Sequence, residues 1–195
     1  MDKLQIRAAA FRRLMDYEYI IKLGRNGRII EFTLNFEPSD FFHLIGLHKL
    51  TDVINRRLPT AQTFYDCLRG NITYEQLSRS VFFKDLGNRF EYFDRLEEML
   101  DSNDTVFKCN TSTLRKFSRI TADFELKNVY EALTFYLFTD KRSYSEKQFC
   151  KSFINSETVD YTYGQTKLTL LYKEKVNIKT NERCIQYDRL TPNKN

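Results

Sequence analysis

Only two histidines occur in the 195 residues, and both lie in one stretch, Phe41-Phe42-His43-Leu44-Ile45-Gly46-Leu47-His48. An imidazole titrates near neutrality, so it can take up a proton and return it at ordinary pH. His43 stands among aromatic residues just after a run of alternating apolar residues, which makes it the first candidate for proton transfer. The competing reading is a packed imidazole whose nitrogens are satisfied by hydrogen bonds. If the stretch is helical, a five-residue spacing turns the two rings about 140° apart. They would then not share a face, as zinc ligands four residues apart do, so the pair is a weak metal signal.

A second polar group is Asp140-Lys141-Arg142-Ser143-Tyr144, followed by Lys151-Ser152-Phe153. Its cations could hold phosphates, and its tyrosine could stack on a base or donate a proton. An ordinary basic loop with an aromatic anchor would look the same. Other chemistries lack their residues. The chain has no GxxxxGK[ST] or GxGxxG loop, no HExxH, no GxSxG elbow and no carboxylate cluster suited to two metals. Cys67, Cys109, Cys150 and Cys184 are far apart and form no CxxC pair, so neither a zinc ribbon nor a redox motif is indicated. Free, mostly buried thiols fit a reducing cytoplasm. No signal peptide opens the chain, and no apolar run approaches the ~20 residues of a membrane span.

The net charge of +5 is unevenly spread. Residues 1–30 carry a net +4, residues 31–140 a net −4, and residues 141–195 a net +5. Basic ends around an acidic middle could set one positive face against nucleic-acid phosphates. Lysine-rich strand edges that resist aggregation would give the same pattern.

The elements that must position these groups follow from periodicity. Asp2 can cap a first helix with Leu4, Ala8, Phe11 and Met15 on one face. Tyr17, Tyr19, Ile21 and Leu23 then alternate, as do Ile30, Phe32, Leu34 and Phe36, with Gly24-Arg25-Asn26-Gly27 between them; Asn-Gly is the signature of a type I′ hairpin. Ser39 is a possible N-cap for a short helix through His43, loosened at Gly46. Helices are expected from Thr60 to near Gly70 and from Thr73, where Gln76 completes a capping box and Ile72 and Leu77 a hydrophobic staple. Leu86, Phe90, Phe93, Leu96 and Leu100 form a long amphipathic stripe that reads as core. From Thr105 onward the period is mostly two. Strands are expected over 120–126, 159–163, 167–173 and 184–187, with 129–138 apolar on both faces as a central strand. Strands on either side of a helical block most simply join one sheet. The expectation is one α+β domain over 1–190, with an N-terminal helix and β-hairpin, a helical block at about 39–102, a C-terminal antiparallel sheet, and a frayed tail at 191–195.

Several stretches carry a family likeness. They are Phe36 with Phe41 to Leu47, a Phe-x-His-Leu-x-Gly-Leu pattern after a hairpin; Ile72-Thr73, Leu77, Ser80 and Phe83, leading to Asn88-Arg89-Phe90, Phe93 and Leu96; and Tyr144, Ser152-Phe153 and Tyr161 to Gln165 before a strand. Together, over roughly 17–175, the arrangement resembles the phage-associated nuclease domains grouped with barnase, EndoU, colicin nucleases and RelE, specifically their fourth subgroup. The resemblance implies helices preceding a curved antiparallel sheet, with RNA on its open face, and neither metal nor cofactor. A base would take the proton of a 2′-hydroxyl, which attacks the adjacent phosphate; an acid would protonate the departing 5′-oxygen, and cations would stabilise the transition state. On this chain the resemblance gives His43 the base or acid role, with Tyr144 and Ser152 as proton or hydrogen-bond partners. It gives Lys141, Arg142 and Lys151 the phosphate, and Gln165 a base or sugar. The implied function is a metal-independent ribonuclease of toxin or mobile-element defence type, with RNA as substrate and an antitoxin, immunity or host protein as possible partner. The alternative is a non-catalytic RNA-binding or protein-interaction module on the same fold, such as a phage or plasmid regulator of a host enzyme.

Overall fold

A computed structural model describes residues 1–116 and 118–192. Helix α1 (Lys3–Leu14) starts where expected. The Asp2 carboxylate accepts from Leu4 and Gln5, and Gln5 answers with its own side chain, a complete capping box. Strands β1 (Tyr17–Arg25) and β2 (Arg28–Asn35) form the hairpin, and Asn26 and Gly27 take the positive φ values of 48° and 73° that a type I′ turn demands.

The chain then leaves the sheet for a helical stretch. Helix α2 (Pro38–Leu44) begins before Ser39: Glu37 is its N-cap, and the Asp40 carboxylate accepts the Glu37 N–H at 2.8 Å. Helices α3 (Thr60–Arg69) and α4 (Tyr74–Ser78) follow, the second with the expected Thr73–Gln76 box. The amphipathic stripe is not one long helix. It is broken into a 3₁₀ turn at Phe83–Leu86, α5 (Asn88–Glu91), a second 3₁₀ turn at Phe93–Arg95 and α6 (Leu96–Ser102), although its apolar residues are all buried as expected. Gly87, at φ 54° and ψ −152°, turns the chain between the first two pieces.

The remaining elements are β3 (Thr105–Lys108), α7 (Thr111–Leu114), β4 (Phe124–Tyr130), β5 (Leu133–Lys141), β6 (Gln148–Asn155), β7 (Thr166–Asn177) and β8 (Arg183–Asp188). The apolar run 129–138 is not one central strand. Glu131 and Ala132, with φ of 47° and 65°, fold it into the β4–β5 hairpin, which no Gly or Asn announces. Residues 159–163 form turns rather than a strand, held by Asp160, whose carboxylate accepts from the Thr162 N–H and hydroxyl. Residues 120–123 precede β4 instead of opening it, and β6 occupies a stretch for which no strand is expected.

Strands from before and after the helices do share one sheet, ordered β1-β2-β6-β5-β4-β3-β7-β8. The expected antiparallel sheet is corrected in two ways. β7 also pairs with β1, so seven strands close a ring and β8 lies along the remaining edge of β7. The β2–β6 pairing, at Leu34 and Asn35, is parallel. Register shifts in the β1–β7, β5–β6 and β7–β8 pairings add the local bend that closure requires. In β1, Gly24 lets β7 come close: a Cβ there would meet Leu171 at 3.0 Å.

One continuous core joins α1, α2, α3 and the 3₁₀ turn before α6 to the sheet through Phe11, Phe41, Phe64, Phe93, Phe135 and Phe153. The alternate residues of β5, Tyr136 and Phe138, face a second cluster with Leu114 and Ala122, covered by the segment after β3. α2 packs on α3 and against β6, which brings the His43 helix to the sheet edge where β5 ends. Among the described residues no helix is long and apolar enough to cross a membrane. Of the expected tail, Thr191 is bound to the Asp188 carboxylate and residues 193–195 lie outside the described residues.

Candidate active site

A cleft of about 720 Å³ opens between α2, the end of β5, the start of β6 and residues 119–121 of the segment before β4. His43, Lys141, Arg142, Tyr144, Lys151 and Ser152 all line it, although they come from sequence positions a hundred residues apart. Gln165 does not. Its Oε1 accepts the Asn110 N–H at 2.5 Å and its Nε2 donates to the Tyr163 carbonyl, so it ties β7 to the start of α7.

The placement of His43 follows from one buried ion pair. Arg142 follows β5, and its guanidinium donates through Nη2 and Nη1 to the two oxygens of Asp40, at 2.6 and 3.2 Å, and through Nε to the Asn35 side chain at 2.8 Å. It also lies over the Phe149 ring, 5.0 Å from the centroid. A bidentate arginine–carboxylate pair is directional, so this fork fixes α2 against the sheet edge. The guanidinium expected to hold a phosphate is therefore already saturated. Burial pushes the Asp40 carboxyl up, and Arg142 opposes that shift.

His43, three residues beyond Asp40, is exposed on the cleft wall. Its pKa is lowered by partial desolvation, with Asp40 pulling the other way and Arg56 reinforcing the drop. The expectation that His48 faces elsewhere is corrected. α2 stops at Leu44, Gly46 takes a left-handed φ of 94°, and a 3₁₀ turn at Leu47–Lys49 brings the second imidazole back beside the first. The ring centroids are 5.1 Å apart. His48 Nδ1 is buried with no hydrogen-bond partner among the described residues. Desolvation, His43 and the cations Arg89, Lys49 and Arg56 take its pKa down to about 4, so it is neutral at neutral pH.

Three further cations line the same cleft, Lys141, Lys151 and Arg119. Lys151 donates to Thr121 at 2.9 Å and to Asp140 at 2.7 Å, tying the segment before β4 to the sheet. Lys141 sits in an exposed ion pair with Glu146. Arg119 also lines the cleft, is exposed, and has no ion-pair or hydrogen-bond partner among the described residues. At the rim the Tyr144 hydroxyl donates to Glu37 and accepts from Arg142 at 3.4 Å, while its ring is 69% exposed. The bond to Glu37 raises its pKa. The Ser152 hydroxyl makes no hydrogen bond among the described residues.

Two contributors were missed from the sequence. His48 needed the helix break, for which Gly46 was the only signal. Arg119 stands among other basic residues, Arg115 and Lys116, with nothing to single it out. Chemically, the site gathers an imidazole pair and cations around one cleft large enough for a phosphodiester. Among the described residues no group of three or more His, Cys, Asp or Glu is placed to hold a metal ion.

A family model described as phage-Barnase-EndoU-ColicinE5/D-RelE like nuclease 4 matches residues 3–190. A search of curated proteins gave no match, and neither did a search of solved structures.

Proposed function

The chain belongs to the phage-Barnase-EndoU-ColicinE5/D-RelE like nuclease 4 family, and we propose that within it this nuclease cleaves RNA, with the ribose 2′-hydroxyl as nucleophile. The observation that supports this reading most is that the exposed His43 ring lines one cleft together with Lys141, Lys151 and Arg119. RNA carries its own nucleophile next to each phosphate. A base that is neutral at neutral pH is then enough to start the reaction, and the lowered pKa of His43 provides one. In this reading His43 Nε2 or Nδ1 takes the 2′-hydroxyl proton. The 2′-oxygen forms a bond to phosphorus, the bond to the 5′-oxygen breaks, and a 2′,3′-cyclic phosphate remains. Lys151, Lys141 and Arg119 stabilise the charge that builds on the phosphoryl oxygens. Ser152 donates to one of those oxygens. Tyr144 at the rim donates its hydroxyl proton to the departing 5′-oxygen. Arg142 acts through Asp40 as the strut that holds His43 in place.

A nuclease of this kind suits a toxin or defence effector of a mobile element, held in check by an antitoxin or immunity protein. The deciding experiment is incubation of purified protein with total RNA and tRNA in EDTA. Products ending in 2′,3′-cyclic phosphate are expected. Intact RNA across structured and unstructured substrates would sink the reading and leave a binding module on the same fold.

A further inference from the structure

Three arginines are almost fully buried, and two of them are completely engaged. Arg7 donates to the Phe90 carbonyl at 2.5 Å, to the Lys3 and Glu91 carbonyls, and to the Glu91 carboxylate at 3.0 Å. Arg142 is bound by Asp40 and Asn35 as described above. Arg89, on α5, is different. It is 7% exposed, its Nε is buried without a partner, and no carboxylate among the described residues pairs with it. Burial lowers its pKa to about 10. A buried guanidinium without a counter-ion costs several kcal/mol, which is why buried charges are normally paired.

Its position gives the missing anion a place. Arg89 Nη1 packs against Gly46, 3.3 Å from where a Cβ would stand, at the link that turns His48 back towards His43. His48 Nδ1 is the other partnerless polar atom here, and His48 lines the cleft. Two groups that lack partners, one able to donate as a fork and one as a neutral imidazole, thus meet at the wall that carries His43.

We propose that Arg89 and His48 together receive a phosphoryl oxyanion of the bound nucleic acid, Arg89 as the buried anchor and His48 as the hydrogen-bond donor beside it. This rests on the nuclease reading for the identity of the ligand, but not for its charge. A carboxylate would also satisfy a guanidinium. The phosphodiester is favoured because the same cleft presents His43 and the unpaired Arg119.

The chain's two histidines make the test direct. Their imidazole resonances are followed against pH in the full-length protein, with inorganic phosphate or with chloride at equal ionic strength. Groups facing His48 are His43, Arg89, Lys49 and Arg56, all cationic or neutral, so an added anion is the new term. Phosphate is expected to raise the His48 pKa by roughly one to two units. Arg89→Met keeps the apolar stem and removes the charge. It should abolish that shift and lower RNA cleavage on the order of 10²-fold, while thermal stability without phosphate holds or rises. An unmoved His48 titration in the parent would overturn the proposal. So would an unchanged phosphate response in Arg89→Met, or a loss of stability showing that Arg89 serves only to pack. Because the phosphate readout needs no cleavage, a phosphate response with intact RNA would reject the nuclease reading and keep the anion site. RNA cleavage with no phosphate response would do the reverse.

Discussion

Buried cations stand in two contrasting settings in this molecule. At the C-terminal end of α6, Lys173 is 3% exposed and its ammonium donates to the carbonyls of Leu100, Asp101 and Asn103 at 2.8, 2.7 and 2.6 Å. Next to it, Lys175 bridges Glu97 and Asp101, and Asp101 also accepts from the Tyr19 hydroxyl. Every donor there has an acceptor, and the network joins β7 and β1 to the end of a helix whose last carbonyls would otherwise be orphaned. On the cleft side the pattern reverses. His48 Nδ1 and Arg89 Nε have no partners, and Arg119 has no counter-ion among the described residues. The first network holds elements of the fold together; the open groups on the cleft side are ones a bound anion could complete, since a buried polar group left unsatisfied costs about 1–3 kcal/mol.

His43→Ala gives the widest contrast between the two regions. If the cleft carries out proton transfer, RNA cleavage should fall by a factor on the order of 10² to 10⁴. Thermal stability should stay near the parent value, because the ring is exposed. In the parent, the acidic limb of kcat/KM against pH should lie below the ordinary histidine value, since desolvation holds the His43 pKa down. Full activity in the variant would move the role to Tyr144 or His48.

Asp40→Asn attacks the strut. The amide keeps the shape but removes the charge opposite Arg142, which is buried to the same degree. Breaking one side of a buried pair costs roughly 3–5 kcal/mol. Both stability and cleavage should drop, as α2 loses its fixed seat against the sheet edge. Chemical denaturation measures the first, and a rate assay well below the melting temperature the second. A variant as stable as the parent would mean that Arg142 does not hold the helix.

Lys173→Met should lower stability by about 2–4 kcal/mol, because three carbonyls lose their donor at once. Cleavage measured on the folded fraction should be unchanged, which separates this region from the cleft. An equal loss of activity per folded molecule would erase the distinction drawn between the two networks.

Much of this was readable in the sequence, and the failures share a cause. The capping boxes at Asp2 and Thr73 and the Asn26-Gly27 turn were legible because each is a local hydrogen-bond pattern with its own residue code. The Glu131-Ala132 turn was not, because neither residue favours positive φ and the cross-strand pairing of β4 with β5 imposes it. Ring closure was equally hidden, since β7 pairs with β1 across some 150 residues of chain. For the site, His43, Tyr144, Ser152 and the lysines were drawn from chemistry-bearing residue types and do converge on one cleft. Arg142 and Gln165 were misjudged because a basic or amide side chain looks the same whether it waits for a ligand or is already bound to Asp40 or Asn110.

Glu125 offers the finest test, because it is a partnerless buried group that does not line the cleft. It is 0% exposed on β4, and neither carboxylate oxygen has a partner among the described residues. Desolvation raises its pKa to about 8, Asp160 adds to the rise, and Lys127 opposes it. Its unfolded value is near the ordinary 4.5. Between these limits the native state keeps a proton that the unfolded chain has released. Stability therefore falls as pH rises from the unfolded value through the folded one. A shift of this size corresponds to a loss on the order of 5 kcal/mol across that window. Glu125→Met removes the titrating group at similar volume. The variant should match the parent near pH 4.5, exceed it at pH 8, and show a flatter profile between. Thermal melts of both proteins across that range provide the measurement. Parallel profiles would mean that Glu125 is solvated or paired, and that an unpartnered group there marks neither strain nor a site. A flattened profile with unaltered cleavage would show that this partnerless group stores strain without function, leaving Arg89 and His48, joined at the Gly46 link, as the feature that separates a binding site from a flaw in packing.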